Sequence, residues 1–237
     1  MDRSAAPQEL LVYRSEIKYI AAPSEYETLR LLLGSVLQPD PYMHDPRGYT
    51  IRSLYFDSAD DTDYYDKLDG VENRKKIRLR IYETGAQTVK LEIKNRFNDH
   101  NLKETLSIRR EDAQTLIAGE YAPLLRYDSA VARKAFSIMS LQRYTPRVLV
   151  EYDREAYIYP QYDVRITFDK NVRAARTDDL FGEGMALTPV FDEPTIILEV
   201  KFNGFLPGFI RDMLSVCKGS AVSVSKYCLA RDLYNVY

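Results

Sequence analysis

The sequence predicts an α+β fold in which an antiparallel β-barrel forms a tunnel, with a polar, basic interior and helices packed outside. Three observations lead there. Strand-like segments outnumber helical ones, and no regular strand–helix alternation calls for a parallel sheet. Five segments alternate charged with aliphatic or aromatic residues at a spacing of two: Lys76-Ile77-Arg78-Leu79-Arg80-Ile81-Tyr82, then 89–94, 152–157, 164–168 and 198–202. In a strand that spacing separates the two kinds onto opposite faces. Helical segments with apolar stripes are also present, and the aliphatic strand faces can bury against them, which leaves the charged faces inward. Ordinary small barrels fill their interior with apolar side chains. For any single strand the simpler reading is a sheet with its charged face in water, but five strands repeating the pattern favour a basic interior.

The elements follow in order. Residues 11–20 read as a first strand. Pro23-Ser24 opens a helix in which Ser24 and Glu27 form a capping box before an apolar run to Leu37. Pro39, Pro41, Pro46 and Gly48 mark a loop, and 49–56 is a strand. Asp57, Asp60, Asp61, Asp63 and Asp66 form an acidic turn or short helix; without the glycine and terminal glutamate of an EF-hand loop it reads as a solvated turn. Two alternating strands follow, joined by Glu83-Thr84-Gly85-Ala86 as a hairpin. Arg74-Lys75-Lys76 is a basic patch at the start of the first, able to draw an anion to a tunnel mouth. A strand at 102–109, helices at 111–118 and 129–142, and strands at 147–157, 163–169, 185–189 and 195–202 come next. Helices at 206–218 and 225–234 close the chain, Ser225 being a fitting N-cap.

The chain has 237 residues, 45% hydrophobic and 29% charged, which suits one domain over 1–237 with a flexible N-terminus at 1–10. Lys+Arg 33 against Asp+Glu 35 leaves a net charge of -2, so a generally basic nucleic-acid coat is absent and any positive site arises from local sorting of charge. No apolar run approaches the roughly 20 residues that cross a bilayer, and Met1 to Glu9 is polar, unlike a signal peptide. A cytoplasmic protein without direct membrane insertion is expected. Cys217 and Cys228 read as reduced helical cysteines, without disulfide or zinc-ligand spacing, and His44 and His100 are too few for a histidine site.

The inward set is Lys18, Arg78, Arg80, Lys90, Lys94, Lys103, Arg154, Arg165, Lys201 and Lys226 against Glu16, Glu92 and Glu199. Two like charges 4 Å apart repel by about 4 kcal/mol at an effective dielectric near 20. Such a cluster needs a polyanion or retained water, and phosphate chains suit it because Arg forks grip phosphate oxygens while Lys supplies point charge. Glu199, facing the same way as Lys201, is the preferred ligand for a divalent ion bridging phosphates, with a simple ion pair as the equal alternative. For Glu16 and Glu92 the ion pair is favoured.

Glu16-Ile17-Lys18, Ser53-Leu54-Tyr55-Phe56-Asp57, Arg78-Leu79-Arg80, Glu92-Ile93-Lys94, Tyr152-Asp153-Arg154, Val164-Arg165-Ile166, Glu199-Val200-Lys201 and Ser225-Lys226 occur in that order. Together they resemble the VTC domain of polyphosphate polymerases, within the triphosphate tunnel metalloenzyme superfamily, from about Leu11 to the C-terminus. The resemblance implies a strand tunnel that binds a nucleoside triphosphate and a growing polyphosphate, with Mn2+ or Mg2+ as cofactor. Carried over by motif, Lys18, Arg78, Arg80, Lys94, Lys103, Tyr152, Arg154 and Arg165 would bind phosphates, with Arg78, Arg80, Arg154 and Arg165 as the catalytic clamp. Glu199 would hold the metal, and Ser225 with Lys226 would complete the far end; Lys201 joins as a substrate-binding residue. Two departures stand out. Arg14 replaces the earlier of the alternating glutamates of the superfamily's hydrolases, and a lysine expected just before Ser225 is missing, with Lys218 a substitute. The resemblance covers a stand-alone catalytic-type domain, and nothing in the sequence names a protein partner.

Three other readings remain: a hydrolase of the same superfamily, a non-catalytic polyphosphate or triphosphate sensor, and an RNA-binding sheet stacking bases on Tyr49, Tyr55, Tyr82 and Tyr152. The last is weak, because strand tyrosines usually pack.

Overall fold

The computed structural model describes residues 15–97 and 100–234. The elements are β1 Ser15–Ala21, α1 Pro23–Gly34, β2 Gln38–Pro39, β3 Tyr49–Asp57, α2 Thr62–Leu68, β4 Asn73–Ile81, β5 Thr88–Phe97, β6 His100–Arg109, α3 Arg110–Ile117, α4 Ala130–Leu141, β7 Thr145–Tyr159, β8 Val164–Ala175, β9 Thr188–Pro189, β10 Ile196–Phe202, α5 Gly208–Leu214 and α6 Lys226–Asp232. The main sheet runs β1-β10-β8-β7-β3-β4-β5-β6, with β2 on β7 and β9 on β8. Its pairings are antiparallel, as expected. The N-terminal part of the expected first strand, the stretch 1–10 and Arg14 lie outside the described residues.

The period-two pattern decides what each face meets. On β4 and β5, Ile77, Leu79, Ile81, Val89, Leu91 and Ile93 pack against Ala113 and Leu116 of α3 and Ala135 and Met139 of α4. On the other half, Ile166, Phe168, Leu198 and Val200 pack against Leu29 and Leu33 of α1 and Ile210 and Leu214 of α5. Each fully buried aliphatic side chain contributes about 1.5–3 kcal/mol, offset by the entropy of ordering it. The charged residues of the same strands are thereby turned to the concave side.

The α+β tunnel architecture is present, with two differences in detail. First, the sheet is curled without being closed: among the described residues β1 and β6 are not paired with each other. A side-chain link spans the gap instead, Lys94 Nζ on β5 lying 3.0 Å from Glu16 Oε2 on β1. Second, α6 does not join the helices outside. Tyr227, Cys228 and Ala230 share a core with Ile51 and Tyr55 of β3 and Val150 and Tyr152 of β7. Those strand residues belong to the inward face, and Tyr227 stacks on Tyr55 with ring centroids 5.2 Å apart.

Local corrections have local causes. Pro23 occupies the first helical position of α1, so Ala22 is the N-cap and Glu25, not Glu27, accepts its N–H at 2.9 Å. The acidic run is not a solvated turn, since Asp57 and Asp63 are fully buried. Asp57 accepts hydrogen bonds from the N–H groups of Ser58, Asp63 and Tyr64 and from the Tyr227 hydroxyl. Asp63 accepts from the Tyr144 hydroxyl and pairs with Lys75 at 3.2 Å. Strand β8 continues past Asp169 to Ala175 because Asn171 takes a left-handed φ of 52° opposite a register shift between Glu151 and Asp153. Cys217 lies beyond the end of α5, and both cysteines are free and buried. Gly48 has φ 96°, and a Cβ there would lie 2.1 Å from the Arg154 carbonyl oxygen, so only glycine lets this loop cross β7 beside an inward arginine.

Candidate functional site: a basic tunnel

The concave side encloses a cavity of about 440 Å³. Every predicted site residue lines it: Lys18, Arg78, Arg80, Lys94, Lys103, Tyr152, Arg154, Arg165, Glu199, Lys201, Ser225 and Lys226. A second cavity of about 370 Å³ adjoins it, sharing Glu16, Lys18, Lys76, Lys94 and Ser225, and adds Lys67, Arg74, Lys75 and Arg96. Glu92 of the inward set sits behind the wall, and Lys90 is the exception among its cations. It does not line the cavity, and its ammonium donates to Ser107 Oγ at 2.6 Å. Lys218 is exposed and does not reach in.

Register explains how the strands compose the wall. On β1 and β10, Glu16 faces Lys201 and Lys18 faces Glu199, a checkerboard of opposite charge. Lys18 Nζ lies 2.7 Å from Glu16 Oε1 and 4.0 Å from Glu199 Oε2, while Lys201 Nζ lies 2.6 Å from Glu199 Oε1. Burial pushes the Glu199 carboxyl pKa up, but Lys201, Lys18 and Arg154 outweigh it and hold the group well below the usual range. Burial and Glu199 likewise act against Glu16, yet Lys94, Lys18 and Lys201 hold it at about 2. Both therefore stand ionised at neutral pH.

The arginines are braced from behind. Arg78 donates to Glu92 Oε2 at 2.7 Å and to the Tyr55 hydroxyl at 2.7 Å. Glu92 also meets Arg80 at 3.7 Å and Lys103 at 3.5 Å, the ion-pair role expected of it. Arg80 donates to Ser53 Oγ at 3.3 Å and to the Tyr152 hydroxyl at 3.4 Å. Arg154 forms a bidentate pair with Asp169 at 2.6 and 2.8 Å, and Lys226 Nζ reaches the same carboxylate at 2.5 Å. Both cations face the buried Tyr152 ring, at 5.3 and 4.8 Å from its centroid. Arg165 pairs with Asp40 at 2.9 Å and donates to the Tyr49 hydroxyl at 3.2 Å, yet its Nε is buried with no hydrogen-bond partner. Thr167 Oγ1, on the strand beside Glu199, is likewise without one.

Sequence reasoning missed Lys76 and Asp169 as site residues. Lys76 Nζ donates to Ser225 Oγ at 2.6 Å, and Lys67 Nζ donates to Ser223 Oγ at 2.9 Å, so lysines from elsewhere in the chain reach the segment where a lysine just before Ser225 was expected. Burial is the largest influence on Lys76, with repulsion from Lys18, Lys67 and Arg74 added, and its pKa falls to about 8. Lys94 is lowered to about 7 by burial first and then by Lys18. Period-two spacing could have found both missed residues: Lys76 precedes Arg78 and Arg80, and Asp169 follows Arg165 and Thr167.

The profile of the VTC domain matches residues 13–235. The chain belongs to the VTC domain family. VTC domains belong to the triphosphate tunnel metalloenzyme fold, so this chain is a triphosphate-tunnel protein. Among curated proteins none matches this VTC domain. Solved structures that share its fold include the following two. A candidate adenylate cyclase from Bacillus halodurans is 13% identical, with 90% of this chain and 94% of that chain covered and a TM-score of 0.53. A Hippeastrum protein, described as a candidate adenylyl cyclase with a dominant triphosphatase activity, is 15% identical, with 94% and 96% covered and a TM-score of 0.56. No described helix is long and apolar enough to cross a membrane.

Among the described residues there is no group of three or more His, Cys, Asp or Glu that could hold a metal alone. The ionised pair Glu16 and Glu199 fits a hard divalent ion that takes its remaining ligands from phosphate oxygens and water. Of the four tyrosines considered for base stacking, Tyr55 and Tyr152 are buried, so they form no open RNA-binding face.

Proposed function

We propose that this VTC domain is a polyphosphate polymerase that moves the terminal phosphoryl group of a nucleoside triphosphate, ATP for choice, onto a polyphosphate chain. The observation that carries this reading is the pairing of an arginine-lined cavity with an adjoining lysine- and arginine-lined one. Their cations so outnumber carboxylates that a long condensed phosphate matches them along the whole length.

Arg78, Arg80, Arg154 and Arg165 hold the transferred group, and their carboxylate braces fix the guanidinium planes before substrate arrives. Lys18, Lys94, Lys103 and Lys201 neutralise the flanking phosphates, with Tyr152 donating a hydrogen bond. Ser225, Lys226 and Lys76 hold the chain toward the second cavity. Glu199, with Glu16, would hold Mn2+ or Mg2+, which when bound supplies charge neutralisation at the phosphate oxygens. The terminal oxygen of polyphosphate forms a bond to the γ-phosphorus as the bridge to the β-phosphate breaks. A nucleoside diphosphate leaves and the chain is one unit longer. The nucleophile is already an oxyanion, so no protein base is required.

The test is incubation with ATP and Mn2+, with products separated by length on a gel. Long-chain polyphosphate is expected, and an Arg78→Ala, Arg80→Ala variant should lose it, each removed donor raising the barrier by about 2.7–4 kcal/mol. Undiminished synthesis in that variant sinks the assignment. Release of orthophosphate alone would favour the second reading, a triphosphate hydrolase, which the activity described for the Hippeastrum structure makes worth testing.

A further inference from the structure

We propose that Tyr82 and Tyr49 form a stacking lip for the nucleobase at the tunnel mouth opposite the second cavity, so that substrate enters base-last from that side. The inference rests on the triphosphate reading of the site and adds a subsite to it.

Strand β4 marks the axis. Lys76, Arg78 and Arg80 share its inward face, and Tyr82 follows at the same spacing one residue past its end and also lines the cavity. Alternate residues in a strand stand about 7 Å apart. Arg74 and Lys76, at the start of this series, line the second cavity, whereas Arg78, Arg80 and Tyr82 line only the first. Tyr82 is therefore the last inward position, one step beyond Arg80 and about 20 Å from Lys76. The cations run out there and aromatic surface takes over. Tyr82 is 51% exposed although it lines the cavity, and its ring lies 6.0 Å from that of Tyr49 at an angle of 55°.

Tyr49 is fixed in place. Its hydroxyl accepts from Arg165, a member of the proposed clamp, and its strand position faces Arg154 across β3 and β7. The lip thus adjoins the arginines while the Tyr82 ring presents aromatic surface to solvent. A triphosphate held by the arginines, its chain directed toward Lys76, places its nucleoside at this end. Any base offers a π-face, so stacking of this kind binds nucleosides with little preference among them.

Calorimetric titration of the whole chain with ATP and with inorganic tripolyphosphate, both without divalent metal, tests the lip. Tyr82→Ala should weaken ATP about five- to tenfold and leave tripolyphosphate unchanged, while Tyr82→Phe should leave both at the wild-type value. Melting temperature checks that the exposed position does not affect folding. Equal weakening of both ligands in Tyr82→Ala, or of neither, overturns the lip while leaving the phosphate site standing. A wild-type chain that binds neither ligand overturns the triphosphate reading and the lip with it.

Discussion

Lys94 shows how one side chain can report on the tunnel's charge. It is held near pKa 7 by burial and by Lys18, against an opposing pull from Glu16. A bound phosphate favours the ammonium form, so binding takes up a proton when it starts above that pKa. Affinity for tripolyphosphate should accordingly fall as pH rises from 6.5 to 8.5, with Lys76 extending the decline because its pKa is about 8. The empty protein should behave oppositely. The unfolded chain holds the Lys94 proton up to about pH 10.4 while the folded chain releases it near 7, so stability contributed by this group rises with pH between those values. Lys94→Arg should flatten the affinity profile, measured by calorimetry, because a guanidinium keeps its proton. An unaltered profile in that variant would remove Lys94 from the account. At this scale the sequence was informative about faces and silent about depth. Period two aligned Lys90 with Glu92 and Lys94 correctly, but how far a residue sits along the tunnel depends on strand tilt and closure. Asp169 escaped notice because a search for cations passes over the carboxylate that braces them.

Asp57 plays the corresponding part among elements. Ending β3, its carboxylate caps α2 through Asp63 and Tyr64 and ties in α6 through Tyr227, whose ring stacks on Tyr55, the partner of Arg78. One buried anion thus connects two helices to the proposed clamp. Asp57→Ala leaves those donors unsatisfied and should cost on the order of 3 kcal/mol or more, since bonds to charged groups count about 1.5–3 kcal/mol each. Denaturant unfolding measures it, and a loss under 1 kcal/mol would contradict the bracing role. Alternation and capping residues made most elements legible. Ser225 serves as an N-cap as its position suggested, and Ser129, expected as the first residue of its helix, proves to be the N-cap of α4. The acidic run misled because composition alone describes five aspartates as a solvated turn, whereas burial of Asp57 and Asp63 is created by donors far away in sequence, Tyr227 and Tyr144.

The whole molecule depends on sorting: a chain of net charge -2 gathers cations inside a curled sheet and leaves its aliphatic strand faces to α1, α3, α4 and α5. The curled class was readable from the strands. The order β1-β10-β8-β7-β3-β4-β5-β6 was not, because pairings between distant segments leave no local trace, and neither was the placement of α6 on the concave side. Thermal unfolding with and without inorganic tripolyphosphate puts the sorting to its most direct test, since a ligand of the folded state alone must raise the melting point. At about a hundred times Kd the gain is about 2.7 kcal/mol, or roughly 5–10 °C for a chain this size. The account predicts that rise, its reduction in high salt, and its absence in the Arg78→Ala, Arg80→Ala variant. A wild-type melting point that does not move at millimolar tripolyphosphate in low salt would contradict it.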